Sequence, residues 1–320
     1  MKKKIILDLD TGVDDTLAIS YILGSPEVEL IGITSTFGNV LVEQGIRNDL
    51  AITDLLGHSE VPVYRGESHA LKADSFTVSD ISAFIHGKNG IGDIEIPDSP
   101  RKAETDMSAV DFIIDSVHKY GKDLIFVPTG AETNIATALQ KAPEIKDEIG
   151  GIVMMGGALT VCGNSDAWTE ANISQDPEAC DILFRSGAPV TMIGLDVTLQ
   201  TLMTYKDSQV WRDIDTPASR FLADMVDFYI KAYETTSPHL GGCGLHDPLA
   251  AAVAVDPTLV KTLPINMKVD LEGPTRGRTI GDNTRLNDPK KTAQVAVEVD
   301  VERFLHEFMT RIGNVAAAAK

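Results

Sequence analysis

The chain has 320 residues, of which 43% are hydrophobic and 23% are charged, with a formal net charge of −19 at pH 7. This length can bury a large core, the acidity argues against a nucleic-acid polymer or an anionic membrane as partner, and three cysteines fit no disulfide or zinc pattern. No apolar run approaches the ~20 residues that span a bilayer, so we expect a cytoplasmic protein.

The first part of the chain alternates short apolar runs with amphipathic stretches. Strands are predicted at 4–9, 28–34, 61–64, 123–127, 151–155 and 190–194. Helices are predicted between them, at 14–23, 43–56, 108–120, 133–140 and 177–185. Alternation at this spacing indicates βαβ units and a mostly parallel sheet. The predicted fold is α/β: a single-domain, doubly wound central sheet with helices on both faces.

The remaining part of the chain predicts longer elements. A helix over 217–234 carries large side chains at helical spacing, which favours core packing over a cofactor site: Phe221, Met225, Phe228 and Tyr229. Further elements are a helix at 247–255, strands at 264–269 and 293–299, and a closing helix at 301–312. We assign residues 1–314 to one domain and expect the alanine-rich segment 315–320 to be a disordered tail.

One long connection, residues 75–100, contains no predicted strand or helix. It includes the glycine-rich run His86-Gly-Lys-Asn-Gly-Ile-Gly92. Loops of this length in compact domains are often lids or binding loops. We therefore expect the segment to take part in ligand binding, with a connector of no functional consequence as the alternative.

The densest chemical signal lies at the first strand–helix junction, Asp8-Leu-Asp-Thr-Gly-Val-Asp-Asp15. Four carboxylates within eight positions repel one another, and a divalent cation is the usual way in which a fold neutralises them. Asp10 ends the strand, and Asp14 and Asp15 fall at a helix start, where the helix dipole favours negative charge. Because every donor is a hard oxygen, Ca²⁺ or Mg²⁺ is favoured over zinc.

Three kinds of site contain acidic turns of this type. An EF-hand does not fit, because a strand precedes the turn and Ile19 stands where the calcium loop requires glutamate. A haloacid-dehalogenase-type phosphohydrolase also begins with a strand and Asp-x-Asp, but here Thr11-Gly12 reverses the expected Gly-Thr order. The third kind is a metal-held sugar site at the carboxyl end of a strand, where open α/β sheets bind ligands.

Further motifs follow the acidic turn along the chain. They are Thr36-Phe-Gly-Asn39, Val127-Pro-Thr-Gly-Ala-Glu-Thr-Asn-Ile135, Met154-Met-Gly-Gly157, Gly163-Asn164, Glu170-Ala-Asn172, Asp176-Pro-Glu178, Gly194-Leu-Asp-Val-Thr198 and His246-Asp-Pro248. In this order the set resembles the nucleoside hydrolases, the inosine–uridine-preferring N-ribohydrolase family, over nearly the whole chain. The resemblance implies the nucleoside hydrolase fold with its Rossmann-like core. It also implies hydrolysis of ribonucleosides to ribose and free base in nucleoside salvage, one Ca²⁺ per subunit, and a homodimer or homotetramer.

The resemblance also implies a role for each matching residue. The Ca²⁺ ligands would be Asp10, Asp15, the backbone carbonyl of Thr129, and Asp247. The residues that contact the substrate would be Asp14, Asn39 and Asn172 near the ribose and metal, Asn164 and Glu170 at the 5′-hydroxyl, and His86 and Tyr233 near the base.

Two residues would carry the chemistry in this family pattern. Asp10 would act as the general base on a metal-bound water, and His246 would donate a proton to the leaving base. Such roles suit the reaction, because an N-glycosidic bond breaks through a ribosyl cation that nearby carboxylates stabilise. The enzyme would thus be an N-glycosyl hydrolase.

Two other classes of function stay open at this point. A Mg²⁺-dependent phosphohydrolase would act on a nucleotide but not on a nucleoside. A non-catalytic nucleoside- or ribose-binding protein would show affinity without turnover. The segment 235–245 matches neither purine-specific nor pyrimidine-specific members, so the sequence leaves the base preference open.

Overall fold

A computed structural model of the chain describes residues 2–319. Within that range the chain forms twelve strands, numbered in chain order: β1 Lys3–Leu9, β2 Val28–Ser35, β3 Val63–Arg65, β4 Leu124–Pro128, β5 Gly151–Met155, β6 Val190–Ile193, β7 Leu202–Met203, β8 Cys243–Gly244, β9 Val260–Ile265, β10 Met267–Val269, β11 Thr279–Gly281 and β12 Ala293–Val299.

The same residues form thirteen α-helices: α1 Val13–Leu23, α2 Val42–Leu55, α3 Asp80–His86, α4 Ala109–Tyr120, α5 Thr133–Lys141, α6 Ile145–Glu148, α7 Ala171–Gln175, α8 Pro177–Ser186, α9 Leu195–Thr198, α10 Tyr205–Arg212, α11 Pro217–Thr236, α12 His246–Val255 and α13 Val301–Ala318. Within residues 2–319, no helix is both long enough and apolar enough to cross a bilayer.

Eight strands form one sheet in the order β3-β2-β1-β4-β5-β6-β12-β9. All neighbouring pairs are parallel except β12 and β9, which pair antiparallel at one edge. The chain runs outward from β1 to β3 and then returns to place β4, β5 and β6 on the other side of β1. This reversal leaves a crevice at the carboxyl ends of β1 and β4, where open α/β sheets bind ligands. The predicted fold class is confirmed.

The central strand β1 shows why the sheet is covered on both faces. Its apolar residues are fully buried, as in parallel strands that lie between two layers of helices. Alternate side chains enter different cores: Ile5 and Leu7 belong to one hydrophobic cluster and Ile6 belongs to the other. A continuous apolar run therefore serves both faces of a single-domain fold.

The predicted strand at 264–269 is wrong as a single element. β9 ends at Ile265 and pairs with β12, whereas β10 pairs with β11 in a separate two-stranded ribbon. Asn266 lies between them, where its Nδ2 donates to the carbonyls of Arg285 and Lys290, both at 3.2 Å. These side-chain hydrogen bonds replace the ladder at that point and end the edge strand.

The closing helix is longer than the sequence indicates. α13 continues past Ile312 to Ala318, where the sequence analysis expects a tail. Val315 and Ala316 are buried in the larger core cluster, and the Thr216 hydroxyl donates to the Ala316 carbonyl at 2.8 Å. Because alanine is the best helix former, the segment extends a helix that already has a surface to pack on. Met1 and Lys320 lie outside the described residues.

The long connection at 75–100 is ordered and contains the helix α3, which the sequence analysis does not predict. Ser79 caps this helix by accepting a hydrogen bond from the Ser82 amide at 3.1 Å. Further along, Asn48 of α2 donates to the Asn89 carbonyl at 2.8 Å. Gly92, with a φ of 71°, lies against α11, so the connection is packed between two long helices.

Glu132 is a buried carboxyl that lies outside the crevice and has no hydrogen-bond partner within residues 2–319. The residue directly precedes α5 and is fully buried. Burial raises the pKa of Glu132 well above the ordinary 4.5, and the negative charge of Glu170 raises it further. A group of this kind destabilises the folded state once the unfolded chain can ionise.

We expect Glu132→Met to stabilise the protein increasingly as pH rises. The folded-state pKa lies above the unfolded value of 4.5, so the wild type loses stability as pH rises past about that value, and the variant does not. Thermal unfolding at pH 5 and pH 8 should show a gain of about 1–3 kcal/mol at pH 8 and less at pH 5. Glu95→Met, an exposed control, should show no such trend. An equal gain at both pH values would contradict the argument.

Candidate active site

Four buried aspartates lie at the crevice between β1 and β4. Asp10 follows β1, Asp14 and Asp15 open α1, and Asp247 opens α12. None of the four is more than 5% exposed. Asp14, Asp15 and Asp247 each offer a carboxylate oxygen, and these oxygens lie within 4.8 Å of one another. Packing of α12 against α1 thus brings a late residue beside the acidic turn.

The turn before α1 is held by close contacts that only glycine permits. The Gly12 amide donates to Asp15 Oδ2 at 2.8 Å. A Cβ at this position would lie 2.5 Å from His86 Nδ1 and 2.7 Å from Asn39 Nδ2. Gly12 has a φ of −92°, so the requirement is for space rather than for an unusual backbone conformation.

Amide and hydroxyl donors fix the carboxylates of Asp10 and Asp15. The Asn39 backbone amide donates to Asp10 Oδ2 at 2.6 Å, and Asn39 Nδ2 donates to Asp10 Oδ1 at 3.2 Å. The Thr129 hydroxyl donates to Asp15 Oδ1 at 2.7 Å. These bonds fix the orientation of the two carboxylates.

The electrostatics of the group favour a bound cation. Burial raises the pKa of Asp14 to about 8, and the charge of Asp15 adds to this effect. Burial and then the charges of Asp14 and Asp15 raise the pKa of Asp247 well above its ordinary range. Asp14 Oδ1 has no hydrogen-bond partner within residues 2–319. Because all the donors are oxygens, the residues fit a hard divalent cation.

A second set of residues continues from Thr129 along the same edge. Asn172 Nδ2 donates to the Thr129 carbonyl at 2.7 Å and to the Met155 carbonyl at 3.1 Å. Glu170 caps α7, where its carboxylate accepts hydrogen bonds from the Asn172 amide at 2.9 Å and the Gly157 amide at 3.0 Å. Thr129, Asn172 and Glu170 are therefore brought together beside the aspartates.

Asn164 lies apart from these contacts. It is exposed on the irregular segment between β5 and α7. Its Oδ1 accepts a hydrogen bond from the Ala171 amide at 2.9 Å. The structure therefore connects Asn164 to the start of α7 but not to the aspartates.

His246 lies on the other side of the crevice in a chain of hydrogen bonds. Its Nε2 is 2.7 Å from the Tyr233 hydroxyl, and its Nδ1 is 2.8 Å from the Thr198 hydroxyl. The Tyr229 hydroxyl lies 3.5 Å from that of Tyr233. Burial lowers the pKa of His246 to about 4, so the ring is neutral at pH 7, with one nitrogen as donor and the other as acceptor.

His86 brings the 75–100 connection into the site. It ends α3, and its Nδ1 accepts a hydrogen bond from the Val13 amide at 3.2 Å. The same nitrogen lies 3.8 Å from Asp14 Oδ1, and the ring lies 5.3 Å from the ring of Tyr229. Burial lowers the pKa of His86 to about 3.

Two residues that contact the predicted site residues, Tyr229 and Thr198, are not predicted from the sequence to belong to the site. Tyr229 is predicted as a core residue, and it is buried, but its ring packs between those of His86 and Tyr233. Its spacing of one helical turn from Tyr233 is the signal that could have found it. Thr198 belongs to the Gly194–Thr198 motif, but the sequence does not indicate its contact with His246, because that contact depends on the tertiary fold.

Asp8 does not join the other aspartates of the turn. Its Oδ1 accepts hydrogen bonds from the Thr34 hydroxyl at 2.5 Å and from Asn134 Nδ2 at 2.7 Å. The site therefore combines three carboxylates of the turn with Asp247, rather than all four of the turn.

Comparison with known proteins places this geometry in context. The sequence profile described as "Inosine-uridine preferring nucleoside hydrolase" matches residues 5–306. The protein of that name from Crithidia fasciculata is 36% identical over 98% of this chain and 99% of its own length. The pyrimidine-specific ribonucleoside hydrolase RihA of Shigella boydii is 34% identical over 98% of this chain and 99% of its own.

A solved structure is more similar still. The purine-preferring ribonucleoside hydrolase from Gardnerella vaginalis superposes with a TM-score of 0.98 and 79% sequence identity. The match covers 99% of this chain and 100% of the other.

Proposed function

Because the chain belongs to the inosine-uridine preferring nucleoside hydrolase family and is thereby an N-glycosyl hydrolase, we propose that it splits purine ribonucleosides into ribose and free base. The family resemblance indicated by the sequence is confirmed. The purine preference rests on the 79% identity to a structure named as purine-preferring. The observation that carries the proposed chemistry is the buried group Asp14, Asp15 and Asp247 at the switch in strand order.

The residues fit a hard divalent cation, and we propose Ca²⁺ because the family resemblance implies it. The proposed ligands are Asp10, Asp15, the Thr129 carbonyl and Asp247. When bound, the cation would lower the pKa of an adjacent water and orient the ribose hydroxyls. Asp14 Oδ1, which lacks a partner within residues 2–319, is then free to accept a hydrogen bond from a ribose hydroxyl.

Asp10 is proposed as the general base. Its Oδ2 accepts the short bond from the Asn39 backbone amide, whereas its Oδ1 accepts the longer bond from Asn39 Nδ2 and is proposed as the atom that takes the proton from the attacking water. The surrounding carboxylates stabilise the positive charge that develops on the ribose as the glycosidic bond breaks.

The ribose and the base are held by residues on two sides of the aspartates. Asn39 and Asn172 are proposed to contact the ribose, and Asn164 and Glu170 its 5′-hydroxyl. On the other side, His86 and Tyr233 are proposed to contact the base. His246 is proposed to donate the proton that lets the base leave as a neutral molecule; its lowered pKa makes the protonated ring a strong acid, and only the small protonated fraction at pH 7 would act.

The cellular setting belongs to the same proposal. We infer a cytoplasmic homodimer or homotetramer that acts in nucleoside salvage. Family resemblance supports the assembly and the pathway, and the reduced cysteines expected from composition support the compartment. Light scattering on the purified protein would give the assembly, and a single-subunit mass would contradict it.

Ribose release from inosine, adenosine, guanosine, uridine and cytidine tests the proposed function. We expect purine nucleosides to be cleaved faster than pyrimidine nucleosides. Chelation with EDTA should reduce turnover at least about tenfold, and Ca²⁺ should restore it. Inosine 5′-monophosphate serves as the control substrate. Release of phosphate from that nucleotide, with no ribose release from any nucleoside, would favour a phosphohydrolase. Binding of inosine without turnover would favour a binding protein.

A further inference from the structure

The segment between β5 and α7, here called the 158–170 loop, carries two of the proposed substrate contacts, Asn164 and Glu170. It contains no helix or strand, and most of its middle is exposed. Glu170 is fixed independently of the loop, because its carboxylate caps α7. Asn164 accepts a hydrogen bond from the Ala171 amide at 2.9 Å but lies in the exposed part of the loop, so the path of its backbone depends on how the loop is held.

Arg278, which precedes β11, binds both ends of the 158–170 loop. Its Nη2 donates to the Leu159 carbonyl at 2.8 Å, and its Nη1 donates to the carbonyls of Val161 at 2.9 Å and Trp168 at 3.1 Å. One planar guanidinium thus joins the segment that enters the exposed part of the loop to the segment that leaves it. Only arginine presents several donors in a rigid fork that can do this.

The charge of Arg278 has no other use in the structure. Every other arginine within residues 2–319 has a carboxylate oxygen within 4.0 Å, and Arg278 has none. Carboxylates are abundant in a chain with a net charge of −19, yet the Arg278 side chain donates to backbone carbonyls of the loop. We therefore take holding the loop as the role of this side chain.

Asp196, in the short helix α9, holds the start of the same loop through its amides. Asp196 Oδ2 accepts a hydrogen bond from the Leu159 amide at 2.9 Å, and Oδ1 accepts from the amide and hydroxyl of Thr160, both at 2.6 Å. At the start of the loop, the Arg278 side chain therefore binds backbone carbonyls and the Asp196 side chain binds backbone amides. This explains an acidic residue of the Gly194–Thr198 motif that the proposed chemistry does not use.

We propose that Arg278 and Asp196 are positioning residues that hold the 158–170 loop so that Asn164 reaches the 5′-hydroxyl of the substrate. The proposal rests on the proposed function, in which Asn164 and Glu170 recognise that hydroxyl. Under this proposal, recognition of the 5′-hydroxyl depends on Arg278 and Asp196, which do not contact the substrate.

The test compares inosine with 5′-deoxyinosine, which lacks the hydroxyl. In Arg278→Met, we expect the ratio of kcat/KM for inosine to that for 5′-deoxyinosine to fall about tenfold, the scale of one lost hydrogen bond to a polar group. A residue that only supports the fold would lower both values equally and leave the ratio unchanged. Arg278→Lys, which keeps the charge but not the fork, should give an intermediate ratio.

Matched variants sharpen the comparison. Arg276→Met removes the same charge two residues away, from a side chain that pairs with Glu178 and does not contact the loop, so its ratio should equal that of the wild type. Asn164→Ala combined with Arg278→Met should give no larger loss of ratio than either variant alone, because both act on one contact. Additive losses would overturn the proposal.

A second measurement does not depend on activity. Trp168 is exposed within the loop, whereas Trp211 is buried. Chymotrypsin should therefore cleave after Trp168 several-fold faster in Arg278→Met and Asp196→Ala than in the wild type or Arg276→Met. Unchanged cleavage would overturn the anchoring itself. A different outcome is that chymotrypsin cleaves the variants faster but the wild-type protein has equal kcat/KM values for inosine and 5′-deoxyinosine. That outcome would overturn the assignment of Asn164 and Glu170 to the 5′-hydroxyl.

Discussion

Replacing Asp10 with asparagine is expected to lower kcat for inosine by about a thousandfold or more while leaving the protein folded. Asparagine keeps an oxygen that can accept the hydrogen bond from the Asn39 amide, so the geometry of the turn survives. It cannot take a proton from water at neutral pH, and it weakens the proposed cation site by removing a charge. Steady-state turnover of inosine at saturating Ca²⁺ is the measurement.

Asp8→Asn is the matched control for this change. It removes the same charge two residues earlier, from a buried side chain that faces Thr34 and Asn134 rather than the aspartate group. Its turnover should stay within about tenfold of the wild type. Far-ultraviolet circular dichroism and the melting temperature of both variants establish that they are folded. Near-normal activity in Asp10→Asn would contradict the assignment of the general base.

His246→Ala is expected to reduce turnover of inosine by about a hundredfold or more, and turnover of p-nitrophenyl riboside by less than about threefold. Hypoxanthine is a poor leaving group unless it receives a proton, whereas p-nitrophenolate leaves without one. The prediction follows from the chain in which His246 lies between the hydroxyls of Thr198 and Tyr233.

His58→Ala, at a half-buried surface histidine paired with Glu60, is the control and should affect neither substrate. Tyr233→Phe removes the hydroxyl that contacts His246 Nε2 and should show the same selectivity as His246→Ala, to a smaller degree. Equal losses on inosine and p-nitrophenyl riboside would show that His246 maintains the site without supplying a proton.

The sequence predicts the central elements of the fold because their signals are local. β1 is a buried apolar run, and α1 follows a glycine turn, so both can be located without tertiary information. The division between β9 and β10 could not be predicted in this way. It depends on hydrogen bonds from Asn266 to carbonyls about twenty residues further along the chain.

The site shows the same contrast between local and tertiary signals. Asp14 and Asp15 could be predicted as a pair because they lie in one turn, whereas their approach to Asp247 depends on packing of α12 against α1. The contact between Thr198 and His246, and the hold of Arg278 on the 158–170 loop, join segments far apart in the chain. Neither has a sequence spacing that would indicate it.

The reversal of strand order also bears on how this protein is made. Asp10 and Asp15 are translated early, but Asp247 follows only after three quarters of the chain, on a helix that packs against α1. A nascent chain without α12 has an incomplete set of proposed ligands. An ion bound by the complete set would join distant parts of the chain and would stabilise the folded state, because only that state offers all the ligands. Assembly of the proposed ligand set therefore requires synthesis of the chain at least through α12.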